Sequence, residues 1–283
     1  MTIRQALHSA TQALLAAGIP DPGQDAQLLL SHVTGMPRLE MRLNGSNPLS
    51  PEQEQRFASL LLSRTRREPL QYLLREQCFY GLNFMVDGRV LIPRQETETL
   101  CEVGVCHLRG CPSPTALDLC TGSGAIAVTL KHECPAAEVT GSDASADALA
   151  VAALNAKRNR VSVRFVLGDL FQPVADARFD LILSNPPYIP SADCEALQPE
   201  VLHEPRMALD GGADGLDFYR RIAGLAHSHL VPGGLVAVEA GDGQARPVAA
   251  LFENSGRYQS VRILNDLYGH ERVVIAHAAA DPT

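Results

Sequence analysis

Apolar positions in the first quarter of the chain recur at helical spacing. Ile3, Ala6, Leu7, Ala10, Leu14 and Ala17 share one stripe of a helix that stops at Gly18, with Pro20 and Pro22 beyond it. A second helix over about 24–34 ends at Gly35, and a short third covers 39–43. Ser50-Pro51-Glu52-Gln53 opens a fourth: an N-cap serine, a proline at the first helical position and a glutamine at the third. Near Cys78 the period changes. Apolar runs at 79–86 and 89–92 flank Asp87-Gly88, which predicts a hairpin turned at that dipeptide. A helix follows from Pro93 through about Leu108. From Thr115 short apolar runs and helical stretches alternate, the rhythm of a parallel sheet. Strands are expected at about 115–119, 138–143, 161–166, 179–184 and 234–239, and helices near 124–133, 145–158 and 215–230. Residues 261–264 and 273–276 read as a closing edge hairpin. The pattern therefore predicts an α/β chain: a helical domain over 1–77, a linking β-hairpin over 78–94, and a mostly parallel sheet domain over 95–283 with an antiparallel C-terminal edge.

Composition narrows this picture. Of 283 residues, 46% are hydrophobic and 20% charged, ordinary for a globular chain with a sizeable core. No apolar run approaches the ~20 residues of a membrane span. The N-terminal stretch lacks the apolar core of a signal peptide and the arginine richness of a transit peptide, so it reads as the first helix of a cytoplasmic protein. A net charge of −8 argues against a protein held mainly by nucleic-acid phosphates. Seven scattered cysteines without a C-x-x-C pair support neither a disulfide framework nor a zinc site, and no metal is expected. Arg64, Arg66 and Arg67 read as a solvated helix end, with docking of an acidic or RNA-bound partner as the lesser alternative.

Candidate chemistry gathers at strand ends. The strand at 179–184 runs into Asn185-Pro186-Pro187-Tyr188. Two prolines cannot continue a ladder, and each restricts the residue before it to extended backbone. A stiff ledge results, carrying a carboxamide, an aromatic ring and carbonyls; a plain strand-ending turn is the alternative. The strand at 115–119 leads into Cys120-Thr121-Gly122-Ser123-Gly124, a glycine turn opening a helix whose N–H groups are free for a ligand. The next strand ends at Asp143, about 20 residues on, where an acid grips a ribose in nucleotide-binding βαβ units. Its alternative role is to cap the following helix. Asp169 and Leu170, after the third strand, are placed to clasp an adenine edge and face, or else form a surface turn. The glycine turn alone leaves a dinucleotide open, since Gly122, Gly124 and Ala127 fit the relaxed spacing.

The Asp-Leu-x-Thr-Gly-Ser-Gly turn together with Asn-Pro-Pro-Tyr resembles the class I S-adenosylmethionine-dependent methyltransferases, with their Rossmann-like domain. Within them the second motif marks enzymes acting on a planar nitrogen. Ile92-Pro93-Arg94-Gln95-Glu96-Thr97-Glu98, Glu204-Pro205, Asp214-Gly215-Leu216-Asp217 and Tyr268-Gly269 with Glu271-Arg272-Val273 narrow the likeness to the release-factor glutamine N5-methyltransferases, the PrmC/HemK family. The likeness covers essentially the whole chain. It departs at Cys120, usually glycine, and at Gln95, usually proline. The resemblance implies S-adenosylmethionine as cofactor and S-adenosylhomocysteine as product. It implies as substrate the glutamine of the Gly-Gly-Gln motif in class I peptide chain release factors, of the release factor 1 and release factor 2 type. Cofactor binding then falls to residues 120–124, Asp143, Asp169, Leu170 and Asn185. Catalysis falls to Asn185, Pro186 and Tyr188, and substrate contact to these three with Pro187 and Glu204. An adenine-N6 nucleic-acid methyltransferase, which must flip its base, and a ribosomal-protein glutamine methyltransferase are the alternatives; the latter lack the Glu-Thr-Glu run. The acidic balance disfavours the former, and neither membrane nor nucleic-acid partners are expected.

Overall fold

The computed structural model describes residues 1–279. The chain divides into two units: Met1–Glu76 with Gln198–His203, and Gln77–Leu197 with the chain from Glu204 onward.

The first unit is helical. Helix α1 (Ile3–Ala16) is closed at its start by a capping box of Thr2 and Gln5, and α4 (Pro51–Thr65) by one of Ser50 and Gln53. Between them lie α2 (Pro22–Thr34), ended by Gly35 in the left-handed region, and α3 (Arg38–Leu43). A one-turn helix α5 (Leu70–Leu74), too short to show a period, was not expected. The apolar stripe of α1 is buried as its spacing predicts: Ile3, Ala6, Ala10 and Leu14 pack with Ala26, Leu29, Leu30 and Phe57. At the end of α4 Arg66 is exposed as expected, but Arg64 and Arg67 correct the expectation of a solvated end. Arg64 is 5% exposed. Its guanidinium donates to Asp25 at 2.7 Å and to Glu200 at 3.0 Å, and Arg67 donates to the other oxygen of Glu200 at 2.7 Å. Two acids remote in sequence neutralise a cluster that looks solvated when read locally.

The second unit starts with the hairpin β1 (Gln77–Phe79) and β2 (Leu82–Phe84). Its turn is Tyr80-Gly81, not Asp87-Gly88. Both turn residues have positive φ (50° and 73°), the geometry that matches strand twist. Phe79 and Phe84 meet edge to face at 5.9 Å in the sheet's core, and Glu98 accepts the Tyr80 N–H at 2.7 Å. Asp87 instead bends the chain by accepting from the N–H and guanidinium of Arg89. The hairpin thus belongs to the sheet unit rather than standing as a separate linker, because its aromatic pair fills that unit's core.

A short 3-10 turn (Gln95–Thr97) leads into α6 (Glu98–Leu108). Then come β3 (Thr115–Leu119), α7 (Ala125–Glu133), β4 (Glu138–Asp143), α8 (Ala146–Arg158), β5 (Arg164–Leu167), β6 (Phe179–Ser184), α9 (Asp217–Leu225), β7 (Leu230–Glu239), α10 (Ala245–Asn254), β8 (Tyr258–Asn265) and β9 (Glu271–Ala278). The sheet order is β5-β4-β3-β6-β7-β9-β8. Pairing is parallel from β5 to β7, and β9 is antiparallel to both β7 and β8. Helix α10 was not foreseen, although Ala245, Val248, Ala249 and Phe252 are buried at helical spacing. Strand β5 is shorter than expected and β7 starts earlier, at Leu230, with a register shift after Phe179. The chain runs outward from β3 to β5 and returns at β6 beside β3, so the order reverses between β3 and β6. That switch point is where open α/β sheets place ligands, at the carboxyl ends of the strands.

Candidate active site

Leu119 of β3 pairs with Ser184 of β6, which brings Cys120 and Asn185 to the same end of the switch point. The Ser184 hydroxyl donates to the Leu119 carbonyl at 2.9 Å and ties the two strand ends together. Three residues of the following turn, Cys120, Gly122 and Gly124, have positive φ (58°, 52° and 79°). Cys120 occupies the left-handed region at some steric cost, which accounts for a glycine being the easier residue there. Burial pushes its thiol well up, so it stays protonated. Beneath the turn Asp118 is fully buried. One carboxyl oxygen accepts from Thr121 Oγ1 at 2.6 Å and from the Ala127 N–H at 3.1 Å, holding the turn on the start of α7. Burial pushes its pKa up to about 7.

Asp143 also braces the turn. One oxygen accepts the Gly122 N–H at 2.8 Å, and the other accepts the Ser145 N–H at 2.9 Å. The N-cap of α8 is Ser145, whose hydroxyl accepts from the Ala148 N–H. Burial raises the Asp143 pKa, against the pull of those N–H groups. Past β5, Leu170 is buried with φ 49°, a strained setting for a bulky residue, while the half-buried Asp169 accepts from Arg221 at 2.6 Å.

Two cavities meet over the switch point. One, of about 100 Å³, is walled by Asp143, Ser145, Asp169, Leu170, Val90 and Phe218 among others. The second, of about 50 Å³, is walled by Thr97, Pro93, Arg94, Thr121, Ser123 and Ile126 among others. Leu91, Cys120, Gly122 and Asn185 line both, so Asn185 stands at their junction. Its Nδ2 donates to Thr97 Oγ1 at 3.2 Å, and its Oδ1 is buried with no partner. A buried acceptor without a donor costs free energy unless something fills the place.

Of the residues expected at the site, Cys120, Thr121, Gly122, Ser123, Asp143, Asp169, Leu170, Asn185 and Pro187 line these cavities. Gly124 packs behind the turn, where an added Cβ would lie 3.0 Å from that of Ala152. Pro186 is buried, and it and Tyr188 lie off both walls. The Tyr188 ring packs on Gly241, and its hydroxyl is pushed up to about 12 by burial. Glu204 corrects the expectation of a substrate contact. It is 5% exposed, one oxygen pairs with Arg94, and the other accepts the Ile92 N–H at 3.1 Å. Burial makes such a carboxylate costly unless it is fully engaged, and Arg94 and the Ile92 amide engage it.

Three residues were not singled out as site residues. Asp118 opens the glycine-turn motif, and Thr97 sits in the Glu-Thr-Glu run. Glu239 ends β7 at the same sheet edge as Asp143 and Asn185, and the strand-end reasoning applied to those two points equally to it. It is buried, its Oε2 has no hydrogen-bond partner, and burial pushes its pKa up to about 7 against the pull of the neighbouring Thr97 hydroxyl and the charges of Arg272 and Arg94. Among the described residues no group of His, Cys, Asp or Glu is arranged to hold a metal, and no helix is long and apolar enough to cross a membrane.

A parallel sheet reversed at β3/β6, with a glycine turn and an acid at adjacent strand ends and Asn-Pro-Pro-Tyr beside them, defines a Rossmann-like methyltransferase. Solved structures share the fold. The hMettl16 catalytic domain in complex with MAT2A 3′UTR hairpin 6 superposes with a TM-score of 0.57 at 18% identity, covering 80% of this chain and 83% of that one. A methyltransferase from Pyrococcus furiosus gives 0.52 at 20% identity, covering 71% and 90%. Family models for the PrmC N-terminal domain and the methyltransferase small domain match residues 5–74 and 103–214. The release factor glutamine methyltransferase of Geobacter sulfurreducens is 46% identical over 96% of this chain and 95% of its own length. That of Deinococcus radiodurans is 41% identical over 99% of each. The chain belongs to the release factor glutamine methyltransferase family.

Proposed function

We propose that this protein transfers a methyl group from S-adenosylmethionine to the side-chain amide nitrogen (N5) of the glutamine in the Gly-Gly-Gln motif of class I peptide chain release factors, of the release factor 1 and release factor 2 type, in the cytoplasm. The observation that carries the reading is the orphaned Asn185 Oδ1 at the junction of the two cavities.

The residues around the junction suit the cofactor. Asp143 offers carboxylate acceptors for ribose hydroxyls, while Leu170, Val90 and Phe218 offer apolar surface for a base. When bound, S-adenosylmethionine supplies a methyl group on an electron-poor sulfonium and leaves as S-adenosylhomocysteine. An amide nitrogen is a poor nucleophile because its lone pair is delocalised. Asn185 Oδ1, accepting one of its N–H hydrogens, raises electron density on nitrogen and aims it. The Pro186 carbonyl is the second acceptor of this proposal, and the Tyr188 ring supports the ledge from behind. Positioning and electrostatics then carry the rate. A strong base is unnecessary, since the proton becomes acidic only as nitrogen gains positive charge. The buried Glu204 holds Arg94, whose side chain lines the second cavity.

Two measurements test this. Asp143→Ala is expected to weaken cofactor binding by about 1.5–3 kcal/mol, roughly 10- to 150-fold, by calorimetry; unchanged affinity in a folded variant puts the cofactor elsewhere. Labelled-methyl transfer is expected to be far faster to full-length release factor than to a short Gly-Gly-Gln peptide, because a folded partner can be gripped at a second surface. Changing the substrate glutamine to alanine is expected to abolish transfer, and DNA is expected to be inert. Comparable rates on DNA, or label persisting in the altered release factor, would establish a different substrate.

A further inference from the structure

Asn155 is fully buried on α8, and its hydrogen bonds leave its amide no freedom. Oδ1 accepts the Met85 N–H at 2.6 Å, while Nδ2 donates to the Met85 carbonyl at 3.0 Å and to the Ser123 carbonyl at 2.9 Å. All three partners are backbone groups with fixed roles, an N–H that only donates and carbonyls that only accept, so the amide cannot be turned over. Toward Met85 it acts as a neighbouring strand would, meeting both the N–H and the carbonyl of the residue just past β2. Its remaining proton goes to the glycine turn. The Ser123–Gly124 peptide is thereby held from both sides, its carbonyl by Asn155 and its N–H by the Thr121 carbonyl at 2.8 Å. Three residues earlier on α8, Ala152 lies against Gly124.

The two segments held by Asn155 both wall the cavities. Beyond Met85 the chain reaches Val90 and Leu91, which line the first cavity, and Leu91 lines the second as well. Its far end is fixed where Glu204 accepts the Ile92 N–H. The glycine turn supplies Cys120 and Gly122 to both cavities and Ser123 to the second. Asn155 itself lines neither. We propose that Asn155 is a positioning residue for the cofactor: from α8 it sets the spacing between the glycine turn and the 85–92 segment, and so the width of the space that the cofactor occupies. The inference rests on the cofactor reading above. Without the carboxamide the Ser123 peptide is free to rotate and the 85–92 segment to draw away, while three buried backbone groups lose their partner. Linkage adds a consequence. A clamp whose loss weakens cofactor binding must itself be tightened when cofactor binds, by the same factor.

Calorimetry with S-adenosylhomocysteine on Asn155→Ala is the test. Its Kd is expected to rise about tenfold or more, while kcat at saturating cofactor and KM for release factor stay within about threefold. Val248→Ala is the control. Val248 is buried on α10 and lines neither cavity, so this variant should melt earlier and bind as its parent does. An Asn155→Ala protein that melts early yet keeps the parent's affinity would make the residue a brace of the fold alone and overturn the proposal. The wild type decides the same point should the variant not fold. Hydrogen exchange at the Met85 amide is expected to slow about tenfold on adding S-adenosylhomocysteine, beyond any slowing shared by amides across the fold. A Met85 amide that slows no more than the rest overturns the proposal. Wild-type protein that does not bind S-adenosylhomocysteine would instead refute the cofactor reading, before any variant is compared.

Discussion

Asn185→Ala is expected to lower kcat by about 10²–10³-fold, the usual cost of removing one preorganised polar contact to the reacting group. Its melting temperature should barely move. The reason lies in how little the rest of the fold asks of this side chain. Nδ2 makes one hydrogen bond, to Thr97 Oγ1 at 3.2 Å. Oδ1 makes none. The strand end is held instead by the Ser184 hydroxyl on Leu119 and by the following prolines. KM should change little, because the contact strengthens as nitrogen attacks and contributes mainly in the transition state. Steady-state kinetics beside thermal melting separate the outcomes. A variant that melts much earlier yet retains full turnover per folded molecule would make Asn185 a strand terminator and nothing more.

Gly215→Ala is expected to cost about 3 kcal/mol, by overpacking and a forced left-handed side chain, and so about 6–12 °C in melting temperature. The segment from Leu209 to Gly215 wraps the ledge. Ile189 donates to Leu209 O at 2.9 Å, and Gly211 donates back to Ile189 O at 2.8 Å. At Gly215, φ is 74°, and an added Cβ would lie 2.3 Å from the Tyr188 carbonyl oxygen and 2.6 Å from Gln244 Nε2. That nitrogen donates to the same carbonyl at 2.9 Å, so the methyl group displaces the clamp on the ledge as well as straining its own backbone. Turnover should fall with stability, since the ledge carries Asn185. Gly23→Ala is the control. Nothing lies within 4 Å of the added carbon and the residue is helical, so melting should hold or rise. A Gly215→Ala protein melting within a degree of its parent would mean the close approach relaxes cheaply.

Much of the sheet unit was legible because its signals are local. Apolar runs ended by Gly, Pro or a lone acid place β3, β4 and β6 at the residues observed, and the double proline marks the ledge whatever surrounds it. The capping box at Ser50 is likewise decided within four residues. The turn residues Cys120, Gly122 and Gly124 and the strand-end acid Asp143 were readable for the same reason.

What the tertiary structure decided depends on partners far along the chain. Asp87-Gly88 has the better turn chemistry, but the burial of Phe79 and Phe84 and the capture of the Tyr80 amide by Glu98 put the turn seven residues earlier. Arg64 looks solvated until Asp25 and Glu200 converge on it. Glu204 looks available for substrate until Arg94 and the Ile92 amide claim both its oxygens. Thr97 and Asn185 are 88 residues apart in sequence. Glu239 comes to the same end of the sheet only because β7 lies next to β6. The sequence by itself determined where β3, β4 and β6 end and which polar residues stand there, since backbone restriction and hydrophobic period act over a few residues. Which way the Asn185 amide faces is a matter of hydrogen-bond partners, and only the folded chain brings those together.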